Sequence, residues 1–275
     1  TRNNQNPNRD ERDILLIFTG SDWSKEAKDF SKNILTESCK TELAQLYAVR
    51  FIDLLHNPSE NERKTVQKNY LLFSEYAVPE IPFIVLQTAE QDMYASAVIE
   101  ADIKTEAQLI EKIKALTAQR TKVIEARKHI NTTKGQEKAR AIDTFLNTVG
   151  NAEAHRYDSL RMQVPALDPD NRSGLKGKYV LMSADIRAKS FAQQGNYLKA
   201  SDEYKAAAET GDLSPAELQL AWYLAAYSYL MTENTESETA IEYLHKAIEA
   251  DPQNAAVQRL NQAIHKLQND VQLKK

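Results

Sequence analysis

Along the first 117 or so residues, short apolar runs alternate with stretches whose apolar positions recur at helical spacing. That is the pattern of a sheet covered by helices. Asp13–Phe18 (DILLIF) is a continuous apolar run, as expected of a strand buried on both faces. From Ser24 to Leu35, the residues Ala27, Phe30, Ser31, Ile34 and Leu35 share one helical face. Leu46–Ile52 (LYAVRFI) is rich in strand formers. Asn57-Pro58-Ser59-Glu60 then supplies a stop and an N-cap for a helix with Val66, Tyr70 and Phe73 on one stripe. Pro82–Gln87 (PFIVLQ) and Tyr94–Glu100 (YASAVIE) read as strands joined by the polar segment TAEQDM, short enough for a hairpin. Leu109, Ile110, Ile113 and Leu116 mark a closing helix. The predicted order is β-α-β-α-β-β-α.

From about residue 118 strand signals nearly vanish, and Ala, Leu, Lys, Glu and Gln recur with helical periodicity. Asn131–Gly135 and Pro165–Lys178 interrupt it with turn-forming residues. The pattern predicts an α/β domain over 10–118, a helical linker with a degenerate repeat over 119–178, and helical repeats over 179–275. The boundary between sheet and helices is expected between 118 and 135, and a covering helix over 255–270. Residues 1–9, polar and Asn-rich, read as a disordered leader. In the tail, a shift of 40 residues places Ala200, Tyr204 and Ala207 on Ala240, Leu244 and Ala247. The same shift pairs Ala184, Arg187, Ala188 and Phe191 with Leu224, Tyr227, Ser228 and Met231. Small residues at fixed places let neighbouring helices approach while aromatics and leucines fill the gaps.

Composition narrows the function. The net charge of −4 and pI near 5.8 have the wrong sign for a general phosphate-backbone binder, so nucleic acid is not an expected partner. No apolar run approaches the ~18 residues of a membrane span. With 7 Gly and 8 Pro there is little material for the turns of an all-β fold. The chain opens on Thr1 and its leader lacks the charged-then-apolar signal pattern. Removal of an upstream signal or lipid-attached segment is one expectation, trimming of the sequence the other.

Cys39 is the single cysteine, so there is no internal disulfide, no Cys-only zinc site and no dithiol cycle within one chain. It is expected half-buried near the end of the first helix, a thiol- or peroxide-sensing role being the alternative. The five histidines (56, 129, 155, 245 and 265) are scattered, read as surface groups, and show no metal-helix spacing. No metal or cofactor is expected. Asp168-Pro-Asp170-Asn-Arg172-Ser-Gly174 begins like a calcium loop, but Arg172 and Ser173 stand where an oxygen ligand and a glycine belong, so it reads as a turn. Residues 120–140 hold seven cations against two acids, read as a solvated face, with an acidic partner or anionic lipid as the alternative. In the cluster Trp222, Tyr223, Tyr227 and Tyr229, the pair Tyr223 and Tyr227 shares one face and Trp222 with Tyr229 another.

The segment Phe18-Thr19-Gly20-Ser21-Asp22-Trp23-Ser24-Lys25-Glu26-Ala27 resembles the Phe-Thr-Gly-x-x-Trp-Cys-x-x-Cys site of thioredoxin-like envelope modules, with both cysteines replaced. Tyr76-Ala-Val78-Pro79-Glu-Ile81-Pro82-Phe83-Ile84-Val85 resembles the family's second landmark, a cis proline before a buried strand. The resemblance implies a thioredoxin-like fold whose exchange chemistry is lost, since a serine hydroxyl cannot replace a thiolate without a positioned base. Ser24 then reads as the N-cap of the helix it opens. Gly195-Asn-Tyr197-x-x-Ala200-x-x-x-Tyr204-x-x-Ala207 and Ala240…Leu244…Ala247…Asp251-Pro252 resemble tetratricopeptide repeats, with a 40-residue period against that family's usual ~34. The first copy has Asp212 where that proline belongs, and a third copy would end at Leu167-Asp168-Pro169-Asp170-Asn171.

Together these readings imply a multidomain chain: an α/β thioredoxin-like N-terminal domain and an all-α tetratricopeptide-like C-terminal domain. The expected function is a non-catalytic protein- or peptide-binding scaffold of the bacterial envelope or periplasm. Its candidate binding residues are Trp23, Ser24, Ile81, Pro82, Tyr223 and Tyr227. The alternative is a thiol-disulfide oxidoreductase whose natural form has cysteine at 24 or 27, or which uses Cys39 alone.

Overall fold

The computed structural model describes residues 12–151, 153–232 and 237–273, with side chains as far as 269. The leader read over 1–9 lies outside the described residues. In the first half the elements are β1 (Ile14–Thr19), α1 (Lys25–Asn33), α2 (Glu37–Leu46), β2 (Ala48–Asp53), α3 (Arg63–Glu75), β3 (Phe83–Gln87), β4 (Met93–Val98) and α4 (Glu106–Leu116). Then follow α5 (Arg120–Thr132), α6 (Gly135–Thr148) and two single turns, α7 (Asp158–Arg161) and α8 (Val164–Leu167). The tail is α9 (Lys176–Gln193), α10 (Tyr197–Ala208), α11 (Pro215–Leu230), α12 (Ser237–Ala250) and α13 (Val257–Leu273).

Two compact units result. One takes the chain through Thr133 and again over Ala141–Tyr157, the other Lys134–Arg140 and the chain from Asp158. In the first, the sheet order is β2-β1-β3-β4. β1 is parallel to β2, with Ile14 opposite Ala48, and antiparallel to β3, with Phe18 opposite Phe83. β3 and β4 form the antiparallel hairpin. A parallel β1–β2 pair demands a crossover, which α1 and α2 provide. Every residue of β1 is buried, as a central strand's continuous apolar run requires. This arrangement, with a cis Ile81–Pro82 bond before β3, is a thioredoxin-like fold.

The structure departs from the sequence reading at two places. The first helix ends at Asn33, and α2 begins afresh behind the N-cap Thr36, whose Oγ1 accepts the Cys39 N–H at 3.3 Å. Cys39 is therefore in the first turn of a second helix, not near the end of the first. The buried Ile34 and Leu35 at the break prolong the apolar stripe and hide the interruption.

The second departure concerns the segment 119–178, which is divided between the two units. α5 packs on β4, where the Arg127 guanidinium pairs with Asp92 (Nε to Oδ2 2.7 Å) and lies 4.1 Å from the Phe145 ring centroid. Phe145 meets Tyr157 edge-on at 5.3 Å, and the Tyr157 hydroxyl accepts the Met93 N–H at 2.9 Å. Gly150 lies against β4 so closely that a Cβ there would sit 2.5 Å from the Ala95 backbone. Arg120 bonds Asp13 at 2.6 Å. Two of the seven cations read as a solvated face thus hold internal ion pairs. Helical periodicity says that a helix has an apolar face but not which core covers it.

The second unit stacks α9 through α13 so that each helix packs on the next. Its core mixes small residues with Tyr204, Trp222, Tyr243 and Leu244. The 40-residue repeat is seen as two successive helix pairs, α9–α10 and α11–α12. The segment read as a third copy, ending at 167–171, spans α6, which is divided between the two units, and the single turns α7 and α8. Asp168, 2% exposed, accepts the N–H groups of Arg172 (3.0 Å) and Ser173 (2.7 Å), so its carboxylate closes a turn.

Because Phe145 is fully buried between the Arg127 guanidinium and Tyr157, Phe145→Ala should destabilise the protein by about 3–5 kcal/mol. Urea unfolding followed by far-UV circular dichroism measures it.

Candidate functional site

The turn after β1 positions the first candidate site. Thr19 and Ser21 fold back on β2: Asp53 accepts the Ser21 N–H at 2.9 Å and the Thr19 hydroxyl at 3.2 Å, and also bonds the Ser21 hydroxyl. Asp22 takes the backbone N–H groups of His56 (3.0 Å) and Asn57 (2.7 Å). Desolvation raises its pKa, but these two bonds, together with its own backbone N–H and the nearby His56, outweigh it and hold the carboxyl below the usual carboxylate range. Two aspartates therefore clamp the turn to the last residue of β2 and to the chain that follows it.

Trp23 and Ser24 part at this point. The Trp23 indole, 43% exposed, lies parallel to the His56 ring with centroids 4.4 Å apart, and its Nε1 donates to the Leu54 carbonyl at 2.5 Å. Ser24 is buried; its Oγ accepts the Ala27 N–H at 3.1 Å and donates to Glu26 at 3.3 Å. This is an N-cap. Ala27 is fully buried. The two positions that carry sulfur in thioredoxin-like modules thus hold a hydroxyl engaged with helix backbone and an inert methyl group.

Gly20 brings the two landmarks together. A Cβ there would lie 2.5 Å from Ile81 Cδ1 and 2.7 Å from the Trp23 ring, so only glycine lets them close over the strand end. Pro82 is buried and its carbonyl accepts the Ile99 N–H at 2.9 Å, while Ile81 is half-exposed. Among the described residues, neither backbone polar group of Ile81 has a hydrogen-bond partner. Tyr70, 39% exposed, lies near enough for desolvation and the Asp22 charge to push its hydroxyl up. The structure assembles Trp23, Ser24, Ile81 and Pro82 and adds His56, Tyr70 and Asp22, which sequence reasoning missed. His56 was read as a scattered surface group; only the packing of the chain after β2 brings it to Trp23.

The second candidate pair, Tyr223 and Tyr227, lies on α11 with ring centroids 6.4 Å apart and exposures of 40% and 54%. Trp222 and Tyr229 turn the other way, onto Tyr243 at 5.4 and 6.2 Å. Lys246 Nζ caps the Trp222 ring at 4.6 Å. The cluster divides by face: Trp222 is buried and Tyr229 half-buried on one side, while Tyr223 and Tyr227 are exposed on the other.

Cys39 has no exposed surface. Its place in the first turn of α2 favours a thiolate, but desolvation, aided by the Glu106 and Glu42 charges, wins and pushes the thiol up to about 11. Among the described residues no group of three or more His, Cys, Asp or Glu side chains is placed to hold a metal, and no helix is long and apolar enough to cross a membrane.

Folding raises the Cys39 pKa from an ordinary value of 9.0, so the thiol adds no pH dependence below pH 9. Above it, the unfolded chain gives up the proton first, and stability falls as pH rises toward 11. At pH 8, 5,5′-dithiobis(2-nitrobenzoate) should label the native thiol roughly a hundredfold more slowly than the urea-unfolded one. Comparable rates would contradict the buried, protonated state.

Residues 175–272 match the family described as "Uncharacterised protein C-terminal domain". An uncharacterised protein of Treponema pallidum (strain Nichols) is 36% identical over 256 residues, which is 93% of this chain and 84% of that one. A solved chain titled DsbH Oxidoreductase is similar at a TM-score of 0.34 with 27% identity, over 38% of this chain and 72% of its own. The last likeness is too low to carry weight. The treponemal match spans both units, and this chain belongs to that protein's family.

Proposed function

We propose that this protein is a non-catalytic binding protein that recognises protein or peptide partners through two modules. The thioredoxin-like module works without redox chemistry, and the second works as a tetratricopeptide-like array. One observation carries the reading. At the end of β1 the sulfur positions are filled by a capping hydroxyl and a buried methyl, while Trp23 is exposed and Ile81 beside it half-exposed. A surface that keeps its recognition groups and lacks its nucleophile binds without turning over.

The alternative of exchange through Cys39 alone is opposed by the burial and high pKa of that thiol. In the second unit, the outward Tyr223 and Tyr227 supply large rigid contact area of the kind that anchors peptide interfaces. The location that goes with this reading is the bacterial envelope or periplasm, where the modules resembled by the first unit work.

A cellulose-bound peptide array probed with the full chain tests the proposal. Binding of captured sequences should fall about 30-fold in Trp23→Ala or in the double variant Tyr223→Ala/Tyr227→Ala, as expected for truncated aromatic anchors. Capture of no peptide, or capture indifferent to both variants, would refute it.

A further inference from the structure

Helix α11 is apolar on both faces. Inward, Ala221, Trp222, Ala225 and Ala226 belong to the helical core. Outward, Ala216, Leu220, Tyr223, Tyr227 and Leu230 are all exposed, the four larger side chains at 45%, 40%, 54% and 37%. A helix apolar all round is ordinarily covered all round. The outward residues are spaced four, three, four and three apart, the 3.5-residue mean of a seam that takes a second helix with knobs in holes.

Length and charge narrow the occupant. The seam runs 15 residues, from Ala216 to Leu230, or about 21 Å between its ends at helical rise. An extended ligand repeats its same-face side chains every ~6.8 Å, so four such intervals take about 27 Å and outrun the seam. A facing helix repeats in step. Between Pro215 and Leu230 the sole acidic or basic residue is Glu217, and its carboxylate is held in a capping box by the Ser214 N–H (2.9 Å) and hydroxyl (2.7 Å). The five seam side chains themselves carry no charge. The exposed side chains offer roughly 400 Å², about half of the ~800 Å² per partner of a stable dimer. That area suits one helix better than a second copy of this chain.

We infer that the outward face of α11 docks one amphipathic helix of a partner protein, about four turns long, with an uncharged apolar stripe at alternating three- and four-residue spacing. This rests on the peptide-binding reading of α11 and narrows it from any peptide to a helical one.

The test selects 16-residue peptides from a displayed random library against the full chain, then measures affinity by fluorescence anisotropy and peptide helicity by circular dichroism. Selected peptides should show the three-and-four spacing without internal proline and gain helicity on binding. Their affinity should change less than about twofold between low and high salt, as for an uncharged contact. Tyr227→Glu should weaken them at least tenfold, and Leu198→Glu, an exposed site on α10, should leave them unchanged. Proline-containing or strictly alternating peptides that are nonetheless lost in Tyr227→Glu would overturn the helical inference and leave the peptide reading of α11 standing. No selected peptide, or peptides indifferent to Tyr227→Glu, would overturn both.

Discussion

The first turn of α1 needs an acceptor for its free backbone N–H groups, and in this protein a serine oxygen supplies it. A helix N-terminus at the end of a buried strand is a strong place to hold an anion, and a sulfur anion there makes an exchange enzyme. The Ser24 hydroxyl meets the same demand as a neutral cap. Gly20 permits the close seat of Trp23 and Ile81 over the strand end, and Asp53 and Asp22 pin the turn that carries them. Glycine, tryptophan and cis proline thus close around a capping hydroxyl at the end of β1.

The second unit answers a different constraint. A stack of helices buries its core only if backbones approach closely, and Ala200, Ala221, Ala225, Ala240 and Ala247 provide that closeness. Two buried polar side chains are matched across helices: Ser201 donates to the Ala225 carbonyl at 2.8 Å and Gln219 to those of Ala247 and Asp251. The apolar surplus sits on the outward face of α11, where packing of the unit does not require it.

How much was legible depended on whether a signal was local. The continuous run of β1, the hairpin of β3 and β4 and the cap at Ser24 are written in neighbouring residues, and the sequence showed them. The repeat in the tail was legible because the same spacing recurs 40 residues on. The break between α1 and α2 was not, since Ile34 and Leu35 kept the stripe unbroken while Thr36 alone marked a new start. Nor was the seating of α5 and the second half of α6 on the sheet unit, where Asp92 meets Arg127 and Met93 meets Tyr157 across distant sequence. His56 entered the site for the same reason, through tertiary proximity to Trp23.

The central claim is that this thioredoxin-like module performs no sulfur exchange. The most direct measurement is insulin reduction by the purified full chain with dithiothreitol as electron source. The account predicts precipitation of the insulin B chain at the rate of dithiothreitol alone, unchanged by Cys39→Ala. A protein-dependent acceleration, above all one abolished by Cys39→Ala, would contradict it.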